Sequence, residues 1–132
     1  MTRAIHVGYP GGLDVAKVNE QRHIDEAAGE ARARYITTEP GQAETYLAKY
    51  KAAQEYMSLQ IESPWLTQEA EALGLDVMQV ALIIIDAHTH WELKGAEIEA
   101  ARMQGKAAVK QAKTPRAAVD IANAACDKLL EL

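Results

Sequence analysis

The chain has 132 residues, 25 of them alanine and none phenylalanine, and its 14 basic and 19 acidic residues leave a net charge of −5. Apart from the alanines it has 39 larger apolar side chains, enough for one hydrophobic core but not for two. Alanine at this density excludes an all-β sandwich, and the length excludes an eight-stranded α/β barrel, which needs ~200 residues or more. No Lys/Arg-dense run supplies the basic stripe that nucleic acid requires, and the longest apolar run, Val80 to Ile85, is far short of a membrane span. Neither nucleic acid nor membrane is an expected partner. The single Cys126 excludes an intrachain disulfide and a cysteine-based zinc site. Its neighbours Ala124, Ala125 and Leu129 mark an ordinary buried thiol, in a soluble protein of a reducing compartment.

Residues 1–12 read as an extended arm. Ala4-Ile5-His6-Val7 is β-prone, and Tyr9-Pro10-Gly11-Gly12 ends it with turn residues. Helix is predicted from Asp14, an N-cap preceded by Leu13, which can staple onto Val18. The pattern Gly-Leu-Asp-Val-x-x-Val recurs at Gly74, where Asp76 and Gln79 form a capping box. The first helix is expected to reach about Tyr35, with Ile24, Ala28, Ala31 and Tyr35 on one face.

Thr37-Thr38-Glu39-Pro40-Gly41 breaks it and starts a second helix running to about Gln60, with Ala43, Leu47, Tyr50, Ala53, Met57 and Ile61 at helical spacing. Ser63-Pro64 opens a short third helix, which Gly74 closes. The fourth, from Asp76 to about Ala112, carries the stripe Val80, Ile84, Ala87, Trp91, Gly95, Ile98, Ala101, Gly105, Ala108 and Ala112. Between Val77 and Leu93 its other faces are apolar too, which predicts a central, buried position. Beyond Gly95 the stripe narrows to small residues that permit close helix approach. Thr114-Pro115 starts a fifth helix that buries Ala118, Ile121, Ala122, Ala125 and Leu129. The expected architecture is all-α, a bundle of four to five helices with one long central helix. Residues 13–132 form a single helical domain after the arm 1–12.

Asp86-Ala87-His88-Thr89-His90, after a β-branched run, resembles the first-strand metal motif of the metal-dependent amidohydrolases. On a strand its two histidines would point the same way; on a helix a two-residue step is about 200° and the rings diverge. Helical periodicity from Asp76 through Trp91 favours the second case, leaving a metal-binding enzyme built on Asp86, His88 and His90 as an alternative. Asp25, Glu26 and Glu30 beside Arg22, Arg32 and Arg34 read as a solvated face with three- and four-residue ion pairs. Tyr46, Tyr50 and Trp91 read as core aromatics. Gly11-Gly12 lacks the lysine–hydroxyl pair of a phosphate loop, and no serine or cysteine stands in a nucleophile context. These residues predict no enzyme, no cofactor and no metal.

Ala33-Arg34-Tyr35-Ile36-Thr37-Thr38-Glu39-Pro40-Gly41-Gln42 with Thr45-Tyr46-Leu47-Ala48-Lys49, and Ala96-Glu97-Ile98-Glu99-Ala100-Ala101-Arg102 with Ala112-Lys113-Thr114-Pro115, occur here in one order. Together they resemble a helical module of tailed-bacteriophage tail proteins, including the C-terminal part of some tail-fibre assembly proteins. In that group an arginine–aliphatic–threonine, proline–glycine–glutamine turn precedes a helix; a tryptophan, an Ile-Glu-x-x-Arg helix and an alanine–threonine break follow. Trp91, Ile98-Glu99 and Thr114 keep that order, so the likeness covers about residues 20–128. Only the short arm precedes the module, where the assembly proteins carry a fibre-linked domain.

The resemblance implies a non-enzymatic tail-associated structural protein, located in the virion tail or in the host cytoplasm during assembly. Other tail proteins or the tail fibre are then its partners. Tail-fibre assembly chaperone is the alternative within that group, and a phage-encoded inhibitor of a host protein is a further one. A homo-oligomer is expected from the residual apolar stripe of the long helix. The candidate interface residues are Ile5, Val7 and Tyr9 of the arm, which could add a strand to a partner sheet, with Trp91, Ile98, Ala101, Gly105 and Ala108 of the long helix.

Overall fold

The computed structural model describes residues 8–36 and 41–132, and every regular element among them is a helix. In chain order these are α1 (Gly12–Ala33), α2 (Gln42–Leu59), α3 (Pro64–Leu73), α4 (Val77–Lys110) and α5 (Pro115–Glu131). The all-α class and the long fourth helix agree with the sequence. Ile5 and Val7, the proposed strand of the arm, lie outside the described residues, as do residues 37–40 of the first break.

Three of the expected start signals act through their side chains. Ser63 Oγ accepts from the Trp65 N–H (3.3 Å) ahead of Pro64, and Thr114 Oγ1 accepts from the Ala117 N–H (3.1 Å) ahead of Pro115. At the head of α4 the capping box closes in both directions: the Gln79 N–H donates to Asp76 Oδ1 (2.8 Å), and the Asp76 N–H to Gln79 Oε1 (3.0 Å). The earlier copy of the same motif behaves differently. α1 begins at Gly12 behind a left-handed Gly11, with no side-chain cap, and Asp14 lies inside the first turn. The reason is the residue three places on. Gln79 can return a hydrogen bond, whereas Lys17 has no acceptor; its ammonium instead donates to the Lys110 carbonyl at the C-terminal end of α4 (2.8 Å).

The single helical domain expected over 13–132 divides into two compact units, Met1–Tyr35 with Lys94–Leu132, and Ile36–Leu93. α4 contributes its first part to one and its second part to the other. In the first unit α1 packs along α5, and eight of the twelve residues of the buried cluster are alanine. Ile24, Ile98, Val109 and Leu129 supply its bulk. Alanine removes little apolar surface per residue, so such a core gains from close backbone approach. Gly105 marks the tightest point: a Cβ there would lie 2.8 Å from Ala125 Cβ and 3.2 Å from Ile24 Cδ1. In the second unit α2 packs on α3, and Ala52, Ala53, Leu66, Ala70, Val80, Ala81 and Ile84 form the core.

Two contrasts follow for chemical denaturation. Gly105→Ala should lower stability by about 1 kcal/mol, because overpacking exceeds the gain in helix propensity; Gly29→Ala, where a Cβ meets nothing within 4 Å, should raise it by about 0.5–1 kcal/mol. Asp76→Ala should cost about 1 kcal/mol through the lost cap, and Asp14→Ala only a few tenths, since Asp14 contributes through the helix dipole alone.

Candidate interaction surface

The charged residues of α1 act mainly between helices. Arg22 keeps its four-residue pair with Glu26 (3.9 Å). Asp25, however, takes both Arg102 Nη1 (2.8 Å) and Lys106 Nζ (3.0 Å) from α4. Arg32 reaches Glu99 (2.9 Å), which Arg102 also grips through Nε (3.0 Å) and Nη2 (2.8 Å). The paired guanidinium contact to Glu99 lies within α4 and holds Arg102 in place, while the single bonds Arg102–Asp25, Lys106–Asp25 and Arg32–Glu99 tie α4 to α1. For Asp25, partial burial pushes the pKa up, but hydrogen bonds and charge from Arg102 and Lys106 outweigh it and hold the carboxyl below its ordinary 3.8. For Glu99 the Arg102 hydrogen bond leads, and the carboxyl titrates below its ordinary 4.5. The same bonds to Glu99 and Asp25 raise Arg102. The network is a helix clamp with a structural role.

Glu20 is the one buried carboxylate among the described residues. It accepts from the Tyr9 hydroxyl (3.1 Å) and lies 3.4 Å from His23 Nδ1, while Asn19 Nδ2 donates to the same Tyr9 oxygen (3.3 Å). Tyr9, expected at a partner interface, is half-buried and anchors the end of the arm on α1. Cys126, half-buried, donates to the His23 carbonyl (3.5 Å).

The Asp86–His90 segment is helical throughout, and its side chains separate as a helix requires. His88 turns inward, stacks on Tyr50 (centroids 3.5 Å apart, planes 14° apart) and pairs with Glu92 (3.2 Å). Asp86 and His90 lie on the exposed side. No group of three or more His, Cys, Asp or Glu among the described residues could hold a metal ion. Of the aromatics expected in the core, Tyr50 and Trp91 are half-buried and Tyr46 is exposed.

Three of the five candidate interface residues on α4 are internal. Ile98, Ala101 and Gly105 are buried in the first unit, and Ala108 is half-buried. Ala and Gly at these positions seat α4 against Ile24 of α1 and Ala125 of α5, so they are not available to another chain. Trp91 is half-buried.

The exposed apolar surface lies elsewhere. Of thirteen large apolar residues exposed among the described residues, ten belong to Ile36–Leu93. They include Leu47, Leu59, Trp65 and Leu73, together with Leu82, Ile83 and Leu93 on α4. The central, buried position expected for Val77–Leu93 is therefore corrected. Val80, Ala81 and Ile84 face the core of the unit, while the opposite face, with Ile83 56% and Leu93 61% exposed, faces solvent. The sequence signal was present as apolarity on all sides; it does not reveal whether the cover comes from the same chain. No helix among the described residues is long and apolar enough to cross a membrane. Comparison of the chain with protein-family models, curated proteins and solved structures returned no match.

The lowered carboxyl pKa values fix the sign of an acid effect. A carboxylate held below its unfolded value stabilises the fold above that value and loses the contribution as pH falls through the folded one. The clamp should therefore be at full strength above about pH 5 and fade below about pH 4, the range set by the ordinary values of 3.8 and 4.5. Asp25→Asn should lower the thermal midpoint at pH 7 by the equivalent of less than about 1 kcal/mol, the scale of a partly exposed pair, and the gap to wild type should close towards pH 2.

Proposed function

We propose that this chain is a non-enzymatic interaction protein that docks on protein partners through the apolar surface of Ile36–Leu93, and that its setting is a bacteriophage tail. The observation that carries the docking role is the concentration of large exposed apolar side chains in one unit. Ten of the thirteen exposed large apolar side chains among the described residues fall in this unit and three in the other, an imbalance that favours this unit as the one that meets partners. The tail setting rests on the ordered motifs from Arg34 to Thr114. Partners are then other tail proteins or the fibre, met in the virion or in the host cytoplasm during assembly.

Against an enzyme built on Asp86, His88 and His90 stands the helix itself, which sends His88 to Tyr50 and leaves Asp86 and His90 on the other side. Tail-fibre assembly chaperone is the second reading, favoured by the same uncovered surface, which suits transient contact equally well. Mass spectrometry of purified particles separates the two. Stoichiometric retention supports a structural component, and presence during assembly only supports a chaperone. Particles that form and infect normally without the chain would remove the tail setting.

The surface itself is checked by stability measurements. Leu82→Ser and Leu73→Ser should change unfolding free energy by less than about 0.5 kcal/mol, as exposed positions do, while Leu66→Ala, fully buried, should cost about 2–5 kcal/mol. A loss from the serine variants as large as that from Leu66→Ala would make these residues core and end the docking proposal.

A further inference from the structure

We infer that the corner between α2 and α3 docks a basic amphipathic segment of another protein, which sets apolar anchors on Met57, Leu59, Ile61 and Trp65 and lysines or arginines among the carboxylates beside them. The inference rests on the docking role proposed above and names the chemistry of the partner. These four residues, 40% to 66% exposed, fall within nine positions of the chain. The turn that presents them is pinned at both ends. Gln60, left-handed at φ 58°, donates its N–H to the Tyr56 carbonyl (2.9 Å), and Ser63 Oγ caps the Trp65 N–H. Leu66, fully buried, ties the start of α3 to the core of the unit. Anchors held in this way lose little freedom when a partner covers them.

Charge selects the partner. Ile36–Leu93 has nine acidic residues against two lysines, whereas the rest of the chain has ten acidic against twelve basic. From Ala52 to Leu93 there are seven carboxylates and no lysine or arginine. Glu55 and Glu62 belong to the corner itself, and Glu71 follows on the exposed side of α3. Of the two lysines, Lys49 is bound to Glu69 (2.6 Å). Apolar surface set among charges of one sign favours a partner of the opposite sign, and it repels the same surface of a second copy, nucleic acid and anionic lipid alike. A lysine or arginine side chain meets both halves of the corner at once. Its aliphatic stem lies on apolar surface, its cation reaches the carboxylates, and Trp65 offers it an aromatic face. An amphipathic helix with basic residues flanking its apolar stripe supplies these groups together.

Titration calorimetry on the full chain tests this with a helical peptide made only of leucine and lysine, beside leucine–glutamate and glutamine–lysine peptides of equal length. The leucine–lysine peptide alone should bind, and more weakly as salt rises towards ~1 M, where screening shortens to ~3 Å. Trp65→Ser should weaken it about tenfold or more, as loss of an aromatic anchor does, and Glu62→Lys severalfold. Val18→Ser, an exposed apolar position of the other unit, should leave it unchanged. Equal binding of the leucine–glutamate peptide would overturn the basic partner, and equal binding of the glutamine–lysine peptide would overturn the apolar anchors. A loss from Val18→Ser as large as that from Trp65→Ser would overturn the location. Self-association of the wild type that Trp65→Ser abolishes would give the corner to a second copy, and binding to uncharged lipid vesicles lost in Trp65→Ser would give it to a membrane; either overturns the inference. So does the absence of any peptide binding. If Leu82→Ser and Leu73→Ser then still leave stability unchanged, the docking surface stands and serves a partner of other chemistry. If Trp65→Ser alters helicity, Ile61→Ser, which lies between the two helices, decides in its place.

Discussion

The first unit depends on how closely three helices can approach. Its buried cluster is mostly alanine, so each residue contributes little area, and dispersion contacts between near backbones must make up the difference. Gly105 sets the limiting distance: Ala125 and Ile24 already occupy the space a Cβ would need. This constraint explains why the small-residue stripe of α4 from Ile98 to Ala108 serves the interior. A surface shaped for such close approach, once filled by α1 and α5, has nothing left to offer a partner.

Close approach leaves no room for long side chains between the helices, and the charges accordingly gather at the edge. Arg102 bridges Glu99 on its own helix and Asp25 on α1, Lys106 adds a second cation to Asp25, and Arg32 returns to Glu99. A half-exposed network of this kind adds modest stability and strong directional preference. It selects one sliding register among those that smooth alanine faces would tolerate.

The helices were legible wherever a side chain itself carries the boundary. Ser63, Asp76 with Gln79, and Thr114 all cap as their chemistry requires, and Gly74 ends α3 in the left-handed conformation. Asp14 misled because the motif was read through its aspartate, while the deciding residue was Lys17. Contacts distant in sequence could not be read at all. Asp25 looked like a partner for its neighbours on α1, yet its cations lie 77 and 81 residues away. Periodicity reports which faces are apolar and is silent on what covers them. That is why Ile98 and Gly105 looked like interface and are core, while Leu82 and Leu93 looked like core and are exposed.

The order of the elements along the chain adds one consequence for how the protein is made. Ile36–Leu93 is continuous in sequence, whereas the other unit brings α1 together with segments that follow those 58 residues. As the chain leaves the ribosome, α1 emerges with its alanine face bare and waits for partners not yet synthesised. Closing a flexible loop of that length costs about 4 kcal/mol, and prior folding of the intervening unit shortens the path to be closed. The box at Asp76 and Gln79 therefore stands at a decisive place. It starts the one helix shared by both units, and its elongation past Leu93 delivers Ile98, Arg102 and Gly105 to the waiting α1.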